Sequence, residues 1–251
     1  MAVTLPEGKF YNFFIDDNVF FFTDIAKKQY ASIFGSFYLK GLKDAHEKYG
    51  VKFTLNTFWH NAHEEFKLSE FPEKYKAEFE ANSDWLKFAF HGYSEFPGYP
   101  YSREFPEKMA EHYDLLMKEL DRIVGKHSLI APVIMHYFEL TDENRKFMRE
   151  HGMKFFAVPK GDQMIYRPEF DQYDMPVDAI LNLFKDDLAG IRGQLNKRVE
   201  EGKKLICIGS HEQYAYPFYA NHIPEYFQEI DTALKVMADN GYQSIYFNEK
   251  C

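Results

Sequence analysis

The chain has 251 residues, of which 45% are hydrophobic, so it can bury a large core. Its net charge of −9 argues against nucleic acid and anionic membranes as partners, because both attract basic patches. No basic and apolar leader and no membrane-spanning apolar run is visible, so we expect a cytoplasmic protein. Its two cysteines, Cys207 and Cys251, form no Cys-x-x-Cys pair that would indicate a zinc site.

Short apolar runs alternate with longer amphipathic segments along the first half of the chain. Residues such as Gly50 and Gly125 fit the ends of helices. In chain order, the pattern predicts a strand over Phe10 to Ile15, a helix from about Asp24 to Tyr49, a strand over Val51 to Phe58, a helix over Phe71 to Glu80, a strand over Leu86 to Phe90, a loop over His91 to Tyr101 and a helix over Pro106 to Val124.

The same alternation continues in the second half, apart from an irregular segment over residues 159–185 that contains Pro168 and Pro176. Thr141 fits the N-cap of a helix that ends near Gly152. The remaining predictions are strands over Ile130 to Met135, Met153 to Val158, Ala179 to Phe184, Leu205 to Ile208 and Gln243 to Phe247, and helices over Asp186 to Glu201 and Pro224 to Asn240.

Strands that alternate with helices of about 10 to 15 residues are typical of a parallel sheet covered by helices. Seven or eight such units predict an α/β fold, a closed or nearly closed (β/α) barrel of about seven parallel strands. No linker rich in glycine or serine interrupts the chain, so we interpret residues 1–251 as a single domain.

Polar residues follow the apolar runs where a barrel carries its functional groups, at the carboxyl ends of the strands. Asp16 and Asp17 follow the first strand, although aspartate is also common in simple turns. The later strands are followed by His60 and His63, by His91 and Glu95, by His136, and by His211 and Glu212. Converging Asp, His and Glu side chains suit a divalent metal ion, with Zn²⁺ as the first choice.

The motifs resemble those of the polysaccharide deacetylases of carbohydrate esterase family 4. Asp16-Asp17 after an apolar run is similar to that family's first motif, the run from His91 to Glu95 is similar to its second, and the run from Ile208 to His211 is similar to its last. The resemblance spans Phe13 to Phe247 and implies a distorted (β/α) barrel.

The resemblance also implies roles for individual residues. Asp16 corresponds to the general base and His211 to the general acid, whereas Asp17 and His91 correspond to metal ligands. The second motif should carry a histidine where this chain has Glu95, so we expect an Asp17, His91 and Glu95 metal site. The family's Arg-x-x-Pro segment is not visible, and His136 stands in its place. Further substrate-binding residues are Tyr93, His136 and Glu212.

The resemblance implies a metal-dependent hydrolase that removes an acetyl group from a carbohydrate or another small acetylated substrate. One alternative is a metal-free glycosidase with two carboxylates, Asp16 and either Glu95 or Glu212. Another is a non-catalytic barrel that binds sugar in an aromatic cleft. That cleft would contain Tyr93, Tyr99, Tyr101, Tyr214 and Tyr216. The sequence leaves the substrate and the oligomeric state open, and a homo-oligomer is compatible with it.

Overall fold

The computed structural model describes residues 7–183 and 187–250. In chain order the strands are β1 (Phe10–Asn18), β2 (Phe53–Phe58), β3 (His60–Asn61), β4 (Phe66–Lys67), β5 (Leu86–Gly92), β6 (Phe155–Val158), β7 (Ile165–Arg167), β8 (Gln172–Pro176), β9 (Ala179–Ile180), β10 (Leu205–His211) and β11 (Gln243–Ser244). The α-helices are α1 (Phe20–Lys28), α2 (Phe37–Tyr49), α3 (Lys76–Ala81), α4 (Met109–Val124), α5 (Asp142–Glu150), α6 (Asp187–Glu200), α7 (Tyr226–Asp239) and α8 (Phe247–Lys250).

Parallel strands form the centre of the molecule in the order β5-β2-β1-β10-β9, and β11 pairs in parallel with the start of β1. A second sheet joins β6 to β8 in parallel and adds β7 as an antiparallel neighbour of β8. The predicted α/β barrel with parallel strands is therefore confirmed.

Single backbone hydrogen bonds close the gaps between the two sheets. On one side, the N–H of Ile130 donates to the Phe88 carbonyl in β5, at 3.0 Å. Three residues later along the chain, the Val133 carbonyl accepts the N–H of Ala157 in β6. On the other side, the N–H of Asp178 donates to the Cys207 carbonyl in β10, at 2.9 Å. These isolated bonds replace full strand pairing, which makes the barrel distorted.

The alternation of side chains along β1 separates two apolar clusters. Phe10 and Phe14 belong to a cluster built mainly from β1, β6, β8 and β10, which fills the barrel. Phe13 and Ile15 point the other way and pack in a larger cluster with the covering helices. Asp16 follows Phe10 and Phe14 in the alternation, so it lies on the face of β1 that points into the barrel.

The structure corrects three of the predicted elements. The single helix from Asp24 to Tyr49 is two helices, because Gln29 adopts a left-handed conformation (φ 50°) and ends α1. The segment from Ile130 to Met135 is not a strand: a parallel bridge to Phe88 lies just before it, at Leu129, and single backbone hydrogen bonds join the segment to β5 and β6. The last predicted strand is limited to Gln243–Ser244, and Phe247 begins a short helix.

The irregular segment over residues 159–185 contains the β7–β8 pair, which the sequence patterns did not predict. Of the strand predicted over Ala179 to Phe184, Ala179–Ile180 is a strand and Leu181–Leu183 is a helical turn, whereas residue 184 lies outside the described residues. Within the described ranges, no helix combines the length and the apolar character needed to cross a bilayer.

Candidate active site

A cavity of about 270 Å³ opens at the carboxyl ends of the central strands. Its polar lining comes from separate parts of the chain, as expected for the mouth of a (β/α) barrel. Parallel pairing of β1 with β10 places Asp16 directly beside His211. The acidic and histidine side chains that line this cavity are Asp16, Asp17, His91, Glu95, His136 and His211.

Asp16 and Asp17 both face the cavity, although neighbours on a regular strand point to opposite sides. The reason is local: Asp17 has a φ of 62°, and the pairing of β1 with β2 shifts register between Ile15 and Asn18. A left-handed conformation is uncommon for a residue other than glycine and is often kept at functional sites. The backbone turn brings two adjacent carboxylates to one site.

Asp17, His91 and His136 form a compact cluster of three buried side chains. One ligand atom from each lies within 4.8 Å of the other two. Oδ1 of Asp17 lies 3.1 Å from Nε2 of His91 and 3.5 Å from Nδ1 of His136. Three protein ligands that leave one position open are typical of catalytic zinc sites.

His136 is held so that one ring nitrogen faces this cluster. Its Nε2–H donates to the backbone carbonyl of Glu95, at 3.1 Å, which leaves Nδ1 directed towards Asp17. Histidines that bind metals usually donate the second ring nitrogen in this way. The ring of Phe58 lies about 5 Å from both imidazoles, with centroids 4.9 Å from His136 and 5.1 Å from His91, and it limits their rotation.

The cluster fits a divalent cation on its own chemistry. Oδ1 of Asp17 is buried and forms no regular hydrogen bond with the described residues. Burial acts to raise the pKa of Asp17, but the histidines around it outweigh burial and hold that pKa well below its ordinary value. Burial lowers the pKa of His136 to about 4, so its imidazole is neutral at neutral pH, as a metal ligand must be.

Asp16 lies beside the cluster and is held by a different contact. The side-chain amide of Asn56 donates to its Oδ1, at 2.7 Å, and Nδ1 of His91 lies 3.9 Å from the same oxygen. Burial raises the pKa of Asp16, against the opposing effect of His91 and His211. Asp16 is thus a buried carboxylate that is separate from the three-residue cluster but next to it.

His211 faces the cavity from the end of β10. Its Nδ1–H donates to Oδ1 of Asn182, at 3.0 Å, so its other ring nitrogen is directed away from Asn182. A histidine oriented in this way can give or take a proton at Nε2. Asn182 and Asn56 were not predicted as site residues. Each is an isolated asparagine in the sequence, and its role depends on the residue that the neighbouring strand places beside it.

The structure places Glu95 and His136 differently from the sequence analysis. His136, a predicted substrate-binding residue, is a member of the three-residue cluster. Glu95, a predicted metal ligand, contacts the cluster through its backbone carbonyl, which accepts from His136. Its carboxylate turns to Nε2 of His63, and its Oε2 accepts a hydrogen bond from Gln213 at 2.8 Å.

The structure does not bring the predicted substrate-binding residue Glu212 to the cavity, for a clear physical reason. Its side chain is completely buried below the start of α1, where its oxygens accept the backbone N–H groups of Val19, Phe20 and Phe21 at 2.6 to 2.8 Å. It therefore caps a helix, and it cannot serve as the second carboxylate of a glycosidase.

Tyr93 is half-buried, and its ring stacks on Trp59 with centroids 5.0 Å apart. Its backbone N–H donates to the hydroxyl of Tyr101, so this N–H is already engaged. Of the other tyrosines in the expected aromatic cleft, Tyr101 and Tyr216 are buried in the core, whereas Tyr214 lines the cavity.

No family model and no curated protein matches this sequence. Solved structures do match along nearly its full length. The structure of the T48 deacetylase with substrate aligns over 97% of this chain and 91% of its own, with a TM-score of 0.55 and 11% identity. The Bc1960 peptidoglycan N-acetylglucosamine deacetylase, in complex with 4-naphthalen-1-yl-N-oxidanyl-benzamide, aligns over 97% and 88%, with a TM-score of 0.56 and 14% identity.

A third similar structure is BA3943 from Bacillus anthracis, a pseudoenzyme of carbohydrate esterase family 4. A mutant of it with restored enzymatic activity aligns over 98% of this chain and 68% of its own, with a TM-score of 0.56 and 11% identity. At such low identity the similarities establish the fold and leave the chemistry to the residues of this chain. The resemblance inferred from the motifs is confirmed at that level: the chain has the fold of the polysaccharide deacetylase domain of carbohydrate esterase family 4.

Proposed function

We propose that this protein is a metal-dependent hydrolase that removes an acetyl group from an acetylated carbohydrate. One observation carries the proposal. Asp17, His91 and His136 bring their ligand atoms within 4.8 Å of one another, in the same cavity that holds Asp16 and His211. The cavity therefore combines a candidate metal centre with two groups that can transfer protons.

In this proposal Asp17, His91 and His136 hold the divalent ion, with Zn²⁺ as the first choice because imidazole and carboxylate ligands suit it. The ion supplies Lewis-acid polarisation of the acetyl carbonyl when it is bound. His136 replaces the histidine that the second motif lacks at Glu95. It reaches the same cluster from the segment between α4 and α5.

The proton transfers belong to Asp16 and His211. Asp16, held by Asn56, accepts the proton of the attacking water as general base. His211, held by Asn182, donates a proton from Nε2 to the leaving nitrogen or oxygen. The two residues come from adjacent parallel strands and are register partners, so they flank one substrate position.

The test is acetate release from acetylated chito-oligosaccharides and acetylated xylo-oligosaccharides by the zinc-loaded protein. We expect acetate without shortening of the sugar chain, and loss of activity with a chelator. Asp16→Asn should reduce kcat by at least about 100-fold, because it removes the general base without changing the size of the side chain.

Two other outcomes would reject the proposal in favour of its rivals. Shortened sugars that form in the presence of a chelator would indicate a metal-free glycosidase. Tight binding of oligosaccharide by the zinc-loaded protein, without acetate release from any substrate, would indicate a sugar-binding barrel without catalysis.

A further inference from the structure

The carboxylate of Glu95 lies on the wall of the cavity but belongs neither to the metal cluster nor to the proton-transfer pair. Its side chain is 17% exposed, so it is largely removed from bulk water yet open to a ligand in the cavity. A carboxylate in such a place is costly unless it has a partner. Its contacts therefore indicate what it can bind.

Both protein contacts of Glu95 use the same oxygen. Oε2 accepts the side-chain N–H of Gln213 at 2.8 Å and also contacts Nε2 of His63. Oε1 accepts no hydrogen bond from the described residues. The two contacts fix the carboxylate and leave Oε1 available to a donor in the cavity.

Among the described residues that line the cavity there is no lysine or arginine. Its acidic side chains are Asp16, Asp17 and Glu95, and the first two would balance the proposed metal ion. Glu95 then adds a third carboxylate to the wall, beside His63. A positively charged group on the substrate would complement this wall.

Aromatic rings surround the same part of the cavity. Tyr219 and Tyr214 line it, with centroids 5.3 Å apart, and the ring of Tyr219 lies 5.9 Å from that of His63. Aromatic faces next to a carboxylate are the usual surroundings of a bound ammonium group. The rings and Glu95 therefore favour the same kind of ligand.

We propose that Glu95, with Tyr214 and Tyr219, binds a protonated amine on the substrate, so that the preferred substrate carries a free amino group as well as the acetyl group. This inference rests on the proposed function and narrows its substrate class to partly deacetylated amino sugars. It also gives Glu95 a role different from that of the histidine expected at its position.

The first experiment measures binding and needs no turnover. D-glucosamine and D-glucose differ at one ring substituent, and only D-glucosamine carries an ammonium group. We expect the zinc-loaded protein to bind D-glucosamine at least about tenfold more tightly, as measured by calorimetry, because one charge-assisted hydrogen bond is worth roughly that factor. Glu95→Gln should abolish the preference. Glu139→Gln is the matched control, since Glu139 bonds to Ser102 and not to the cavity wall, and it should keep the preference.

Equal binding of the two sugars, or no binding of D-glucosamine, would overturn the inference. Retention of the preference in Glu95→Gln would overturn it as well, because the His63–Glu95 contact would then be purely structural.

A second experiment separates this inference from the proposed function. It compares kcat/KM for fully acetylated chitobiose with that for the half-deacetylated dimer. Faster turnover of the half-deacetylated dimer, lost in Glu95→Gln, supports both proposals. Equal turnover of the two dimers rejects the ammonium site alone. Selective binding of D-glucosamine without any turnover supports the ammonium site and rejects the deacetylase activity.

Discussion

At the scale of single residues, the candidate site depends on local contacts and backbone conformations that direct a few polar side chains into the cavity. The left-handed conformation of Asp17 is the main example, because it allows two adjacent aspartates to share one cavity. The sequence predicted the importance of this pair from the apolar run before it. It could not predict the backbone turn, which depends on the shifted pairing of β1 with β2.

Asn182 tests the role of a positioning residue. It accepts the Nδ1–H of His211, so Asn182→Ala should lower kcat about tenfold by releasing the imidazole, with little change in KM.

Asn182→Asp keeps the contact and adds a negative charge that favours the imidazolium. Because a general acid must be protonated, the decline of kcat at high pH should then move upward by about one pH unit. A pH–rate profile for Asn182→Asp that matches the unmodified protein would argue against this positioning role.

At the scale of secondary structure elements, most strands and helices followed from periodicity, whereas their connections did not. The segment from Ile130 to Met135 has the apolar composition of a strand, yet single backbone hydrogen bonds join it to β5 and β6 in place of strand pairing. This departure has a consequence for the site, because the same irregular segment leads directly to His136. A regular strand would pair over more residues, and the chain would then leave it towards His136 in a different direction.

Glu212 illustrates how a site prediction fails at this scale. The motif around His211 placed Glu212 at the mouth of the barrel, directly after the end of β10. Its partners are the first N–H groups of α1, about 190 residues earlier in the chain. No local pattern in the sequence predicts a contact between residues so far apart in the chain.

Replacing Glu212 with Gln should destabilise the fold, because both oxygens of Glu212 are acceptors and the amide of Gln supplies only one. We expect a loss of about 2 to 3 kcal/mol in the free energy of unfolding, measured with urea. Glu225→Gln is the control. Glu225 is exposed at the start of α7 and makes no side-chain cap, so its substitution should change stability by less than about 0.5 kcal/mol. Equal effects of the two substitutions would contradict the capping role.

At the scale of the whole molecule, the sequence was sufficient for the α/β barrel and for the end of the barrel that carries the site. Asp16, His91 and His211 lie at the carboxyl ends of β1, β5 and β10, and parallel strands of one sheet end at the same edge, so their convergence follows from the topology. The positions of Glu95 and His136, on which their proposed roles rest, were not predictable in this way. It depends on the path of two loops, and no periodicity constrains a loop.

Glu229 links the stability of the fold to pH. It is 6% exposed in α7, and burial and repulsion by Glu225 raise its pKa to about 7 from an ordinary value of 4.5. Between these two pH values the folded protein binds a proton that the unfolded chain releases, so stability falls as pH rises through this window. Glu229→Gln removes this effect, and it should be more stable than the unmodified protein at pH 8 by about 2 kcal/mol. The advantage should shrink towards pH 5.

Thermal unfolding at several pH values measures this difference. Glu200→Gln, an exposed substitution in α6, is the control and should show no such trend. A constant difference between Glu229→Gln and the unmodified protein from pH 5 to pH 8 would contradict the account.

In the proposed function Asp17, His91 and His136, and not Glu95, hold the metal ion. The most direct measurement is a zinc titration of the metal-free protein by calorimetry, with His136→Gln and Glu95→Gln as a matched pair. We predict about one tightly bound ion per chain in the unmodified protein. His136→Gln should bind zinc at least about tenfold more weakly, whereas Glu95→Gln should keep most of the affinity. Loss of zinc in Glu95→Gln, with retention in His136→Gln, would contradict the account and restore the ligand set expected from the sequence motif.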